Sequence, residues 1–127
     1  MSENIITKIF GSKHERDIKK IKPRVEEINT LFEEYKSLSD EELKGKTGEF
    51  KQRIKEHLEP YQMEGTPAEE LKKAEQEILD QILPEAFAVV KETCRRLVGK
   101  KWEVCGIEIE WDMVPFDVQL IGAVVLH

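Results

Sequence analysis

Two cysteines, Cys94 and Cys105, are all the thiols this chain has. They are too few and too far apart for a zinc site, and no histidine pair accompanies them. They read as reduced thiols, one facing a helix core and one in a strand. Long apolar runs are missing too. No stretch approaches the roughly 20 residues needed to span a bilayer, and Met1 to Ile6 lacks the charged start and apolar core of a signal peptide. A surplus of positive charge is also absent. Twenty Lys and Arg face 26 Asp and Glu, a net charge of −6, which argues against nucleic acid as the main partner. The reading is a cytoplasmic protein with no nucleic-acid role.

Catalytic motifs are equally scarce. No GxGxxG, HExxH or GxSxG occurs. Gly45-Lys46-Thr47 imitates the end of a phosphate-binding loop, but Asp40 stands where the first glycine of G-x-x-x-x-G-K-[ST] belongs. The tripeptide also falls inside an amphipathic helical pattern, whose amides are committed to the helix. The histidines, His14, His57 and His127, are scattered and read as surface imidazoles. Glu26-Glu27, Glu33-Glu34 and Glu69-Glu70 fall on polar helix faces and read as solvated charge.

What is abundant is helical periodicity. Ile5, Ile6, Ile9 and Phe10 share a helical spacing that Gly11 can close, and Ser12 with Glu15 can open the next helix. Ile18, Ile21, Val25, Ile28, Leu31, Phe32 and Tyr35 continue in steps of three and four. Pro23 inside this run removes a backbone donor, so a kink or break is expected there. Ser39 and Glu42 make a capping box, with Leu38 and Leu43 as its hydrophobic staple, opening a helix to about Leu58. Glu59 to Gly65 reads as a loop. Thr66-Pro67-Ala68-Glu69 reads as a second capping box with proline at the first helical position. Pro84 is expected to end or restart the helix that follows. Ala86, Phe87, Val90, Cys94, Leu97 and Val98 form a further stripe closed by Gly99.

The pattern then changes to period two in Trp102-Glu103-Val104 and Ile107-Glu108-Ile109-Glu110-Trp111, with Cys105-Gly106 as a tight turn or bulge between them. The closing segment, Asp117 to Leu126, is apolar on nearly every side with Asp117 as its cap. Such a helix belongs inside a larger core, so it is expected to be hidden by packing or self-association, and the polypeptide to continue past His127. The fold class is mainly α: amphipathic helices with a short β hairpin or strand insertion near residues 102–111.

Charge is distributed unevenly. Met1 to Arg24 holds seven basic residues against three acidic ones, +4, leaving −10 for the rest. A basic amphipathic head suits an acidic surface, with binding that weakens as salt rises. Composition alone leaves two readings open, a solvated helix face or a contact surface.

Four runs carry a resemblance: Thr7-Lys8-Ile9-Phe10-Gly11-Ser12, Leu38-Ser39-Asp40-Glu41-Glu42-Leu43-Lys44-Gly45-Lys46-Thr47, Leu83-Pro84-Glu85-Ala86-Phe87-Ala88-Val89-Val90, and Met113-Val114-Pro115-Phe116-Asp117-Val118-Gln119-Leu120-Ile121-Gly122. In this order they resemble the N-terminal region of the SecA family, the ATPase motors of bacterial preprotein translocation. The resemblance implies that residues 1–127 are the N-terminal part of a larger α/β motor domain, the first nucleotide-binding domain, ending before its phosphate-binding loop. It implies ATP as cofactor, with magnesium, in the full-length parent. Gln119 becomes the adenine reader, and Met113 and Phe116 match positions that pack near the adenine ring. Ile5, Ile6, Lys8, Ile9 and Phe10 match the end that contacts the translocation channel and acidic phospholipid and takes part in homodimers. Preproteins are the implied substrates, and the implied location is the cytoplasm, peripheral to the inner face of the cell membrane. Glu59 to Ile82 and Lys101 to Asp112 exceed the shortest family pattern. The isolated chain is expected neither to hydrolyse ATP nor to bind it tightly. The alternative function is a free-standing helical adaptor or protein-interaction module.

Overall fold

The structure is a computed structural model that describes residues 13–127, the side chain of His14 excepted. The expected helix over Asn4 to Phe10, its Gly11 stop and the Ser12 cap lie outside the described residues. Four helices follow: α1 (Lys13–Tyr35), α2 (Asp40–Leu58), α3 (Ala68–Leu97) and α4 (Asp117–Leu126). A short 3-10 turn, Glu59–Tyr61, lies between α2 and α3. Two antiparallel strands, β1 (Lys101–Val104) and β2 (Ile107–Glu110), lie between α3 and α4.

The 30-residue α3 is the central element, packed against α1 and against α2. Side-chain pairs give the directions. Arg24, Asn29 and the Tyr35 carbonyl meet Asp80, Lys91 and Arg96 in turn, so α1 runs parallel to α3. Asp40 meets Arg96 and Arg53 meets Glu85, so α2 runs antiparallel to it. Helix α4 packs on α1, with Asp117 at Asn29 and His127 at Asp80, and so runs antiparallel to both α1 and α3. The core joins Val25, Ile28, Phe32 and Tyr35 of α1 with Leu43 of α2, Ala88 of α3 and Leu120 of α4. Each large apolar side chain buried there contributes roughly 1.5–3 kcal/mol.

The start of α2 matches its sequence signal. Glu42 N–H donates to Ser39 Oγ at 3.2 Å, and Ser39 N–H donates to Glu42 Oε2 at 2.7 Å. Leu43 is buried and Leu38 packs against the core, which completes the staple. Gly45-Lys46-Thr47 lies inside α2, where Lys46 pairs with Glu49 at 3.0 Å.

Neither internal proline breaks its helix. Helix α1 is continuous through Pro23, which is exposed, so water can reach the carbonyl that loses its donor. Helix α3 is continuous through Pro84, which is buried. A proline orphans the carbonyl four residues before it, here that of Asp80. Arg24 of α1 supplies the replacement, its Nη1 donating to the Asp80 carbonyl at 3.4 Å. Buried Ile82 and Leu83 hold the helix together across the gap.

The second expected capping box is absent. Helix α3 starts at Ala68 with Pro67 in the capping position and no side-chain cap, and the Pro67 carbonyl accepts from the amides of Glu70 and Leu71. The proline sits one position earlier than predicted, which takes the Thr66 side chain out of register with the amides.

Gly99, at φ +85°, turns the chain out of α3 as predicted. Its N–H donates to the Trp111 carbonyl at 2.9 Å, and Trp111 N–H donates to the Lys100 carbonyl at 2.8 Å. Cys105 is exposed and sits in the turn, not in a strand, at φ +53° before Gly106 at φ +79°. Two successive positive φ values define the tight turn whose twist matches an antiparallel pair. Register sets Trp102 opposite Ile109 and Val104 opposite Ile107. One face of the hairpin is therefore apolar and the other carries Lys101, Glu103, Glu108 and Glu110. Every strand residue is exposed.

Packing within the chain hides only half of helix α4, so it does not by itself meet the expectation of a covered helix. Leu120 is buried and Ile121, Ala123 and Val124 are half-buried, but Val118, Val125 and Leu126 are exposed. One helix face can be covered by α1, and a helix apolar on every side needs neighbours on the others. Asp117 does not cap it either: Phe116 holds that position, and the Asp117 carboxylate accepts from Asn29 Nδ2 instead.

Candidate nucleotide-base site

The residues singled out near the end of the chain sit where β2 hands over to α4. Trp111 fixes this connector at both ends of its side chain. Its ring meets Trp102 edge to face, with centroids 6.3 Å apart at 85°, and its indole N–H donates to the Met113 carbonyl at 2.7 Å. The chain then enters α4 at Phe116. Gln119 Oε1 accepts from Phe116 N–H at 2.8 Å, satisfying one amide that the helix start leaves unpaired. That leaves the two N–H donors of Gln119 and the second lone pair of its oxygen for other partners.

Met113 and Gln119 line one concavity of about 230 Å³. Pro115, Leu120 and Ala123 share their side of it, and Phe87, Val90 and Cys94 of α3 form the opposite wall. Among the described residues the lining is apolar except for the Gln119 carboxamide and the Cys94 thiol. Burial pushes the Cys94 thiol up from its ordinary value, so it stays protonated and inert near neutral pH. Phe116 is 73% exposed and is not part of this lining. The structure thus brings together two of the three residues expected near a base and leaves the third at the rim of α4.

Ile5, Ile6, Lys8, Ile9 and Phe10, expected to contact channel or membrane, lie outside the described residues. Of the basic head, Lys13, Arg16, Lys19, Lys20 and Lys22 are exposed along α1. No helix among the described residues is long and apolar enough to cross a membrane. Of the histidines, His57 departs from a plain surface position: it is half-buried, and its Nε2 is buried with no hydrogen-bond partner among the described residues. His127 is exposed and lies 3.1 Å from Asp80.

Two polar clusters escaped the sequence reading. In the first, fully buried Glu92 accepts from Arg95 and Arg96, and Arg96 continues to Asp40 and to the carbonyls of Tyr35 and Leu38. One guanidinium therefore closes the end of α1 and anchors the start of α2. Hydrogen bonds from Arg95 and Arg96 hold the Glu92 carboxyl below its usual range, and Arg96 does the same for Asp40. The i, i+3 and i, i+4 spacing of Glu92, Arg95 and Arg96 was a visible signal, whereas Asp40 lies 56 residues away. In the second, Lys91 Nζ donates to Asn29 Oδ1 at 2.5 Å, and Asn29 Nδ2 donates to Asp117 Oδ1 at 2.9 Å. Nothing local in the sequence announces that bridge.

The comparisons with known proteins give this architecture a family. A family model described as the SecA DEAD-like domain matches residues 6–127. The chain belongs to that family. A protein translocase subunit SecA of Chloroherpeton thalassium is 51% identical over 96% of this chain and 14% of its own length. The SecA subunits of Prosthecochloris aestuarii and Chlorobaculum tepidum are 47% and 43% identical, each over 97% of this chain and 14% of theirs. The chain thus spans about one seventh of the length of these relatives, and its resemblance to an N-terminal SecA region stands. No solved structure matches it.

Proposed function

We propose that this chain forms the base-reading edge of the ATP site in a protein-translocating motor, residues 1–127 being the N-terminal part of its first nucleotide-binding domain. The motor couples ATP hydrolysis to the export of unfolded preproteins through a membrane channel. The observation that carries the reading is the convergence of Met113 and Gln119 on one apolar concavity. Its size falls below the roughly 300–1,000 Å³ of sites for drug-sized ligands, so it suits one flat ring and not a whole nucleotide. Phe87, Val90, Met113 and Pro115 supply apolar walls for the ring. Gln119 supplies the only polar recognition: its N–H₂ donates to a ring nitrogen, and its oxygen has a lone pair left for the exocyclic amine. Guanine offers only acceptors on the corresponding edge, so a carboxamide read this way separates adenine from guanine.

The rest of the nucleotide does not fit the described residues. The Gly45-Lys46-Thr47 amides are committed to α2, and no three His, Cys, Asp or Glu side chains gather for a metal ion among them. ATP, when bound, supplies the phosphoryl bond whose hydrolysis drives transport, and its phosphate and magnesium ligands belong to other parts of the motor. The basic head, with Ile5, Ile6, Lys8, Ile9 and Phe10, is the part we assign to channel and acidic-lipid contact, supported by the exposed lysines along α1. Family membership favours this reading over a free-standing adaptor.

Gln119→Glu in the full-length translocase tests the base reading. The carboxylate keeps an acceptor for Phe116 N–H and removes the donor to the base. Preference for ATP over GTP is expected to fall about tenfold, the scale of one good bidentate contact. An unchanged preference with an unchanged KM for ATP removes Gln119 from the site.

A further inference from the structure

We infer that Asn29 is a positioning residue for the base site, setting where α4 starts and hence where Gln119 stands. The inference rests on the reading of Gln119 as the base reader. Helix α4 is short, with six of its ten residues exposed, and the ties of its connector lie at Trp111 and Met113, ahead of the helix start. Its first residue is Asp117, and the side-chain bond holding that residue to α1 comes from Asn29. The amide of Asn29 has a forced orientation. Lys91 has only donors, so it faces Oδ1, and the Asp117 carboxylate has only acceptors, so it faces Nδ2. Lys91 is itself held 4.6 Å above the ring of Phe32, a core residue. The core thus fixes a cation, the cation fixes an amide, and the amide fixes the first turn of α4, two residues before Gln119.

The chemistry of position 29 is narrow. It must accept from a cation and donate to a carboxylate while carrying no charge. Aspartate accepts from Lys91 but repels Asp117. Exchanging the two groups restores the pattern, since an aspartate at 29 pairs with Lys91 and accepts from an asparagine amide at 117.

The test uses Asn29→Asp, Asn29→Ala and the exchange Asn29→Asp with Asp117→Asn. In the chain described here, hydrogen exchange of the α4 amides reads the placement of the helix. In the full-length translocase, the ratio of KM values for ATP and GTP reads the base site. Both single variants are expected to speed α4 exchange roughly tenfold, with α2 unchanged, because a charge-assisted bond is lost. They also lower the preference for ATP with little change in kcat, and the exchange variant recovers both. Unchanged α4 exchange in the single variants, or an exchange variant that behaves like Asn29→Asp, overturns the inference. If α4 loosens and recovers while base preference moves for neither these variants nor Gln119→Glu, the base reading fails and the hold of Asn29 on α4 stands.

Discussion

Arg96→Met removes the guanidinium that joins three helices while keeping an unbranched apolar stem. The native side chain donates to Glu92 at 2.8 Å, to Asp40 at 2.7 Å, and to the Tyr35 and Leu38 carbonyls at 3.1 and 2.5 Å. These bonds differ in worth. The Asp40 carboxylate is largely in water, so that bond contributes little. Glu92 is fully buried, and breaking a buried pair ordinarily costs about 3–5 kcal/mol because a charge is stranded. Here Arg95 still holds Glu92, which moves the figure to the low end, and the two carbonyls add to it. The expected loss is about 3 kcal/mol, a large share of the roughly 5–15 kcal/mol that keeps a domain folded. At about 4 °C per kcal/mol for a chain of this size, Tm falls by about 12 °C. Arg95→Ala is the comparison: it leaves Arg96 on Glu92 and spares Asp40 and both carbonyls, so its loss should cost distinctly less, about 1–2 kcal/mol. Urea and thermal unfolding followed by circular dichroism read both. A loss below about 1 kcal/mol for Arg96→Met, or equal losses for the two arginines, refutes the idea that Arg96 is the joint. The same cluster fixes a sign for pH. Glu92 titrates below its ordinary value in the folded chain. Its stabilisation is therefore complete above the usual carboxylate range and is lost as pH falls through its lowered folded value. Glu92→Gln should flatten that acid limb.

Arg24→Ala should cost about 1 kcal/mol, since it uncovers the Asp80 carbonyl that Pro84 orphans. In a Pro84→Ala background, where residue 84 regains an N–H for that carbonyl, the same change should cost distinctly less, and additive losses in the four-corner cycle would break the link. Cys105→Asn should slow amide exchange in the hairpin without moving the global Tm, because asparagine before glycine is favoured at two positive φ values. Faster exchange at Trp102 and Ile109 would contradict the turn assignment.

What the sequence made legible was whatever is decided within a few residues. The Ser39–Glu42 box, the Gly99 stop and the period-two hairpin each involve groups less than ten positions apart, and each stands in the structure. The prolines show the opposite case. Position alone marks Pro84 as a break, and the rule is physically sound, but the guanidinium that relieves it comes from a residue 56 positions from the carbonyl it covers. Asn29 and Asp117, 88 positions apart, were invisible for the same reason. The proposed base site lies between these cases. Nothing in its periodicity distinguishes Gln119 from any polar residue near a helix start, and only resemblance to a family singled it out. The structure adds an argument that needs no resemblance. Among the described residues Gln119 is the only hydrogen-bonding side chain, the Cys94 thiol apart, in a lining that is otherwise apolar, and half of its oxygen capacity is spent on its own helix. A glutamine held in that way cannot swing freely, because turning the amide over would set its N–H₂ against the Phe116 N–H. Its donors are thereby oriented by the start of α4 itself, so their direction follows the placement of that helix. That is why the role proposed for Asn29, a residue of α1 outside the lining, is to set how Gln119 would meet a base.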